Sequence, residues 1–334
     1  MKALVIRNKY DIVLEDNFPS PAISDREVLI RVKAVGICGT DFKLYRGEYG
    51  DGYPLIPGHE FAGTVEKVGS AVKGVALGDR VTAVPSVQCG CCAYCLGGQY
   101  SQCENRSATG VLNHGAFAEY VKVPATNIFP IGSLSFRRAT FAEPLACVVR
   151  AVERSGARLG ERVLVLGTGT TGHLFARVLN GMGCDVYMLG RNPHKLRVAE
   201  EKGIKVLNTS GGLAEEELRP LSEKVNVLID AIGDPRLAER FIPLLKKGGK
   251  LVVFGVSQGQ LKLNYFEVYR KELQVIGTFS QQDKFAQAIT MLQNNVLDVE
   301  GLITHEGGLE EVKEVLSGKK PENMIKFVAC IDKE

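Results

Sequence analysis

The chain has 334 residues, longer than a single hydrophobic core ordinarily grows, so two domains are expected. Its 45% hydrophobic and 24% charged content is that of an ordinary globular protein, and a net charge of +3 without any block of like charge excludes the electrostatic footprint of a nucleic-acid binder. No apolar run is long enough to span a bilayer, and the opening MKALVIRNKYDIVLED alternates like a strand instead of forming a signal core, so a cytoplasmic location is expected.

Residues 1 to about 35 read as short strands: KALVI, a polar connection with prolines, then VLIRVKAVGI with β-branched alternation. The next stretch, GICGTDFKLYRGEYGDGYPLIPGHEF from Gly36 to Phe61, gathers Cys38, Thr40, Asp41, His59 and Glu60 around one glycine-rich connection. An enzymic zinc is usually held by three ligands drawn from Cys, His and carboxylate, with the fourth position open to water or substrate. Cys38 and His59 supply two candidates, Glu60 adjoins His59, and Asp41 is placed to accept from the imidazole's other ring N–H. Taken alone, the stretch also fits a buried thiol and a loop histidine.

The strand patterns FAGTVEKVG, DRVTAVP and FAEYVKVP continue a β-rich half. Between them lies CGCCAYCLGGQYSQC, in which Cys89, Cys92, Cys95 and Cys103 have the spacing of a closed four-thiolate zinc site, and Cys91 is a bystander. Nine cysteines, five of them in this lobe, point to reduced thiols and metal rather than to a disulfide framework. Around RRATFAEPLACVVRAVERSGA the period becomes helical, with Pro144 in the first turn and Glu143 just before it, a place where a lone Glu ordinarily serves the helix dipole.

From Arg162 strands alternate with helices, which predicts a parallel, doubly wound sheet with right-handed crossovers. The buried strand RVLVL runs into Gly167, Thr168, Gly169, Thr170, Thr171 and Gly172 and then a helix, the context in which this glycine pattern binds a dinucleotide pyrophosphate. The following strand ends at Gly190, Arg191 and Asn192, where an NAD-preferring site would carry an acid for the ribose 2′-OH; the Arg predicts a preference for NADP, with NAD possible as a second cofactor. After helix KFAQAITMLQNN, the tail is expected to hold one helix and one strand belonging to the β-rich domain.

In order, GICGTD, GHE, the four-cysteine lobe, GAFAEYV, AEPL, GTGTTG, RKELQVIG and LITH make the chain resemble the zinc-dependent medium-chain dehydrogenase/reductase family, most closely its polyol branch of sorbitol and galactitol-phosphate dehydrogenases. The resemblance spans nearly the whole length. It implies an α/β protein with a GroES-like β-rich catalytic domain at residues 1–147 and 284–334, a Rossmann doubly wound coenzyme domain at residues 148–283, and an active site in the cleft between them. It also implies two zinc ions per subunit. Cys38, His59 and Glu60 match the catalytic-zinc positions, Glu143 matches a carboxylate that binds zinc directly or through its water, and Thr40 matches the hydroxyl that first takes the alcohol proton.

The implied activity is Lewis-acid-assisted hydride transfer between a secondary alcohol of a polyol or sugar derivative and NAD(P). Relatives of this kind are commonly homo-oligomers, tetramers or dimers. The chain departs from the family at Lys43, where the proton relay often has a His, and at Ser280 and Gln281, where sorbitol dehydrogenases carry an Arg-Tyr pair; sorbitol itself is therefore not the expected substrate. Lys43 and Arg46, with Tyr45 between them, could draw a substrate bearing a phosphate or carboxylate, unless Lys43 only replaces the relay histidine and Arg46 is solvated or paired with Glu48. The alternatives are a threonine-type or glucose-type dehydrogenase of the same family, a zinc-free reductase, a catalytically silent cofactor binder, or a zinc-binding interaction module built on Cys89 to Cys103. The intact ligand sets and the complete dinucleotide turn weigh against the last three.

Overall fold

A computed structural model of the chain describes residues 1–49, 52–212 and 215–332. Gly50 and Asp51, within the stretch from Gly36 to Phe61, and the last two residues of the 284–334 segment lie outside the described residues. The chain divides into two units, Met1–Ala146 with Gln282–Glu334, and Cys147–Gln281.

In the first unit a hairpin of Ala3–Asn8 and Asp11–Glu15 accompanies a seven-stranded sheet. The sheet's centre is Glu27–Gly36, ten residues whose alternation buries Val28, Ile30 and Val32 against Phe61, Val65 and Phe117. It pairs antiparallel with Glu60–Val68, Tyr120–Pro124 and Lys326–Cys330. The amphipathic helix Leu309–Leu316 lays Leu309, Val312, Val315 and Leu316 on the same core. Both ends of the chain thus build one sheet, and Lys326–Cys330 lies directly beside the strand that leads into Cys38.

The tail carries one more strand than the pattern predicted. Ile303–Gly307 pairs parallel with Lys326–Cys330 at the end of the sheet. Its sequence ITHEG is half-exposed and mostly polar, as a terminal strand with one neighbour can be, so it lacks the apolar alternation that marks central strands.

The second unit is a six-stranded parallel sheet. Numbering its strands β1 (Arg162–Leu166), β2 (Asp185–Gly190), β3 (Lys205–Asn208), β4 (Val225–Asp230), β5 (Leu245–Val253) and β6 (Gln274–Gly277), the spatial order is 3-2-1-4-5-6. Strand β1 is apolar on both faces, with Val163, Leu164, Val165 and Leu166 fully buried, as a strand covered on both sides must be. The order reverses direction at β1, and ligands bind such sheets at the carboxyl ends of the strands where that reversal occurs. The helix Pro235–Phe241 stops there, because Pro243 cannot continue it, and a 3₁₀ turn leads into β5.

Candidate active site

Sheet register brings the first set of donors together. Gly36 lies opposite Glu60 on one side and opposite Val328 on the other, so the ends of three strands converge where the chain leaves the sheet at Ile37 and Cys38. Cys38 is the N-cap of the short helix Gly39–Tyr45, and His59 immediately precedes the strand Glu60–Val68. Metal-ligating atoms of Cys38, His59 and Glu60 all lie within 4.8 Å of one another.

Asp41 is fully buried and braces both ligand-bearing segments. Its Oδ2 accepts from the Cys38 backbone N–H at 2.8 Å, and its Oδ1 accepts from the Gly58 N–H at 3.2 Å. The expected hydrogen bond to the imidazole is not formed: His59 Nδ1 stands 3.8 Å from Asp41 Oδ1 and has no hydrogen-bond partner, although it is buried. Two strong amide donors already occupy this carboxylate, which is why it holds backbone and not the ring.

Burial, then the Asp41 and Glu143 carboxylates, push the Cys38 thiol up to about 11, while Lys326 and the Thr40 backbone N–H act in the opposite sense. A dication at this sulfur would reverse that balance, since a coordinating thiol is deprotonated outright. A thiol, an imidazole with an unmatched buried nitrogen and a carboxylate converging on one point are the donor set of a zinc site. Glu143, in the first turn of the helix Ala142–Ser155, is close enough to act on Cys38 electrostatically. Thr40 is half-buried in the first turn of the Gly39–Tyr45 helix, beside the thiol.

Sequence reasoning missed Lys326. Buried at 1% exposure, it donates from Nζ to Glu60 Oε2 in a close ion pair and to the Ile37 carbonyl at 3.3 Å. Burial lowers its ammonium to about 8. Gly36 makes the space for this pair, because an added Cβ would lie 2.7 Å from Glu60 Oε2 and closer still to the Lys326 chain.

The three residues proposed for substrate contact have other engagements. Arg46 donates to Glu48 at 2.5 Å, the alternative the sequence left open. Tyr45 sets its ring edge-on to Tyr10 and donates its hydroxyl to the Tyr10 carbonyl. Lys43 is partly buried, which lowers its pKa, and it feels the Glu48, Arg46 and Cys38 charges.

The cysteine lobe forms a second cluster. The sulfurs of Cys89, Cys92, Cys95 and Cys103 lie within 4.8 Å of one another, with Cys89 to Cys103 at 3.6 Å and Cys89 to Cys95 at 4.0 Å. A tetrahedral zinc with Zn–S of about 2.3 Å separates its sulfurs by about 3.8 Å, so the four thiols fit the ion without rearrangement. Backbone amides of Cys91 and Cys92 direct N–H groups at Cys89 and lower its thiol to about 5, favouring thiolate. Cys91 itself is exposed and outside the cluster.

In the second unit β1 ends at Leu166, and the next residue, Gly167, with a φ of +111°, turns the chain toward the helix Thr170–Gly181. A side chain at Gly172 would collide with the Gly167 carbonyl, so glycine is required for the helix to start this close to the strand. Gly169 is the N-cap, with Thr170 and Thr171 opening the helix, so the first amides of the helix lie just past the end of β1. At the end of β2, Gly190 packs against Thr168, Arg191 is exposed, and the Asn192 side chain caps the next helix by accepting from Lys195 N–H at 3.0 Å. No carboxylate stands among these three residues.

Comparison with known proteins gives the class. Residues 24–133 match the family model of the alcohol dehydrogenase GroES-like domain, and residues 170–294 match that of zinc-binding dehydrogenases. D-altritol 5-dehydrogenase of Agrobacterium fabrum is 35% identical over 96% of each chain, and D-arabinitol dehydrogenase 1 of Uromyces fabae is 31% identical over 89% of this chain and 87% of its own. A Sinorhizobium meliloti protein assigned as a zinc-binding dehydrogenase, solved with NADP bound, superposes with a TM-score of 0.93 at 31% identity, covering 98% of each chain. The chain therefore belongs to the zinc-binding dehydrogenases of the alcohol dehydrogenase family, with their GroES-like and Rossmann-type architecture. No helix among the described residues is long and apolar enough to cross a membrane.

Proposed function

We propose that the protein is a zinc-dependent dehydrogenase that interconverts a secondary hydroxyl of a polyol or sugar derivative with its ketone, using NADP in preference to NAD. The observation that carries this reading is the convergence of Cys38, His59 and Glu60, in a chain that also has a complete dinucleotide turn. The polyol class is supported by the relatives that act on altritol and arabinitol. We assign residues 1–147 and 284–334 to the catalytic domain and residues 148–283 to the coenzyme domain, a division that the two compact units support. A cytoplasmic homo-oligomer, dimer or tetramer, remains part of the proposal.

When bound, zinc supplies Lewis acidity toward an alcohol oxygen and the nicotinamide accepts hydride. Cys38 and His59 would hold the metal, Glu60 and Glu143 would add the carboxylate character that suits a hydroxyl-rich substrate, and Thr40 would receive the alcohol proton. Cys89, Cys92, Cys95 and Cys103 would hold a structural ion. Gly167, Gly169, Thr170, Thr171 and Gly172 would cradle the pyrophosphate, and Gly190, Arg191 and Asn192 the adenosine ribose. The Arg46–Glu48 pair favours a neutral polyol over an anionic one. The test is a panel of polyols, their phosphates and their acids, each with both cofactors. Activity on neutral polyols is expected; activity confined to simple primary alcohols would refute the reading.

Cofactor choice gives a separate prediction. A charge-assisted hydrogen bond contributes about 1.5–3 kcal/mol, so Arg191→Ala should lower kcat/KM with NADP by about 10- to 100-fold and change it little with NAD. Equal losses with both cofactors in steady-state assays would remove the assignment of Arg191 to the 2′-phosphate.

A further inference from the structure

The Glu60 carboxylate has two oxygens, and the fold commits one of them. Lys326 reaches it from a strand that the register places two columns away, across the gap above Gly36, and is anchored by the Ile37 carbonyl as well. The ammonium also lies 5.6 Å from the centre of the Phe141 ring, so it is enclosed by a carboxylate, a carbonyl and an aromatic face. A buried ion pair is weak evidence of a stabilising role, because well-packed apolar residues usually do as well in its place. Something other than stability is needed to explain a lysine here.

Counting donors supplies it. A catalytic zinc keeps one of its four positions open, whereas a carboxylate can bind a metal through one oxygen or through both. Glu143 is not among the donors that converge within 4.8 Å, so it is taken to act from outside the ligand set, and Cys38, His59 and both oxygens of Glu60 would make four donors and close the site. We propose that Lys326 is a positioning residue of the metal centre: it occupies one Glu60 oxygen, so that this carboxylate offers a metal a single oxygen and a position stays open for the substrate. The inference rests on the zinc reading given above. It carries a sign that a purely structural role would not, because Lys326 both withholds a donor oxygen and sets a positive charge beside the metal. Its removal should tighten metal binding while impairing turnover.

The test uses the full-length protein, wild type and Lys326→Met, in its zinc form and with cobalt(II) at the catalytic position. Zinc loss to excess chelator is followed with time, and azide is added to the cobalt form as a small probe of an open position. In wild type the visible cobalt band should shift with azide. In Lys326→Met the band should no longer respond, zinc should leave about tenfold more slowly, and kcat should fall at least tenfold. Lys326→Gln keeps a hydrogen-bond donor, one bond shorter and without the charge, and should give an intermediate azide response, which guards against a Met variant that fails to fold. Faster zinc loss in the variants, or an azide response equal to wild type, would overturn the inference. A wild-type protein that takes no metal at the Cys38 position would instead refute the zinc reading itself.

Discussion

Cys38→Ser is expected to abolish turnover while leaving the chain folded. The thiol is one of three donors that converge within 4.8 Å, and its segment is held independently by Asp41, which accepts from the Cys38 and Gly58 backbone amides whatever side chain stands at position 38. Losing the metal removes several kcal/mol of transition-state stabilisation, so kcat/KM should fall by about three orders of magnitude. Zinc content should fall by one ion per chain. Thermal unfolding should move little, since serine is nearly isosteric with cysteine and leaves the sheet beneath untouched. A variant that keeps its full zinc complement and its activity would show that Cys38 is not a ligand.

Cys95→Ser should have the opposite profile. Cys95 is buried within a lobe whose regular structure consists of the four-residue helix Ala93–Leu96 and a 3₁₀ turn, Tyr100–Gln102, too little to form a core of its own. Such a lobe owes its fold to the ion, and the binding free energy is folding free energy. The expected destabilisation is on the order of 4 kcal/mol, the upper range for a single substitution. It should appear as a lower midpoint in thermal unfolding and as early proteolysis between residues 89 and 103. Activity measured at low temperature should survive in part, because the lobe donates no ligand to the Cys38 cluster. Unchanged stability together with lost catalysis would reverse the roles assigned to the two sites.

What could be read from the chain alone follows from distance along it. Cys89, Cys92, Cys95 and Cys103 lie within one loop, so their spacing already limits where the sulfurs can go. The turn from Gly167 to Gly172 is equally local, and its strand-turn-helix context follows from periodicity. Cys38 and His59 were legible because they flank a single connection between two sheet strands. Lys326 was not, since 266 residues separate it from Glu60 and only the register of Lys326–Cys330 on Glu27–Gly36 brings them together. Asp41 was noticed for the right neighbourhood: it stands 3.8 Å from the His59 ring, and its two hydrogen bonds from backbone amides were missed because such bonds leave no mark in a sequence. Tyr45 and Arg46 were placed at the substrate by adjacency to Cys38, whereas the short helix turns them toward Tyr10 and Glu48.

Metal stoichiometry followed through chelation tests the two-site zinc reading most directly. Protein purified without chelator should contain two zinc ions per chain. Mild chelation should remove one of them together with all oxidation of polyols by NADP, with the fold retained, and added zinc should restore both the ion and the activity. A single zinc ion or none in the purified protein, or turnover that persists after the weaker ion has gone, would contradict it.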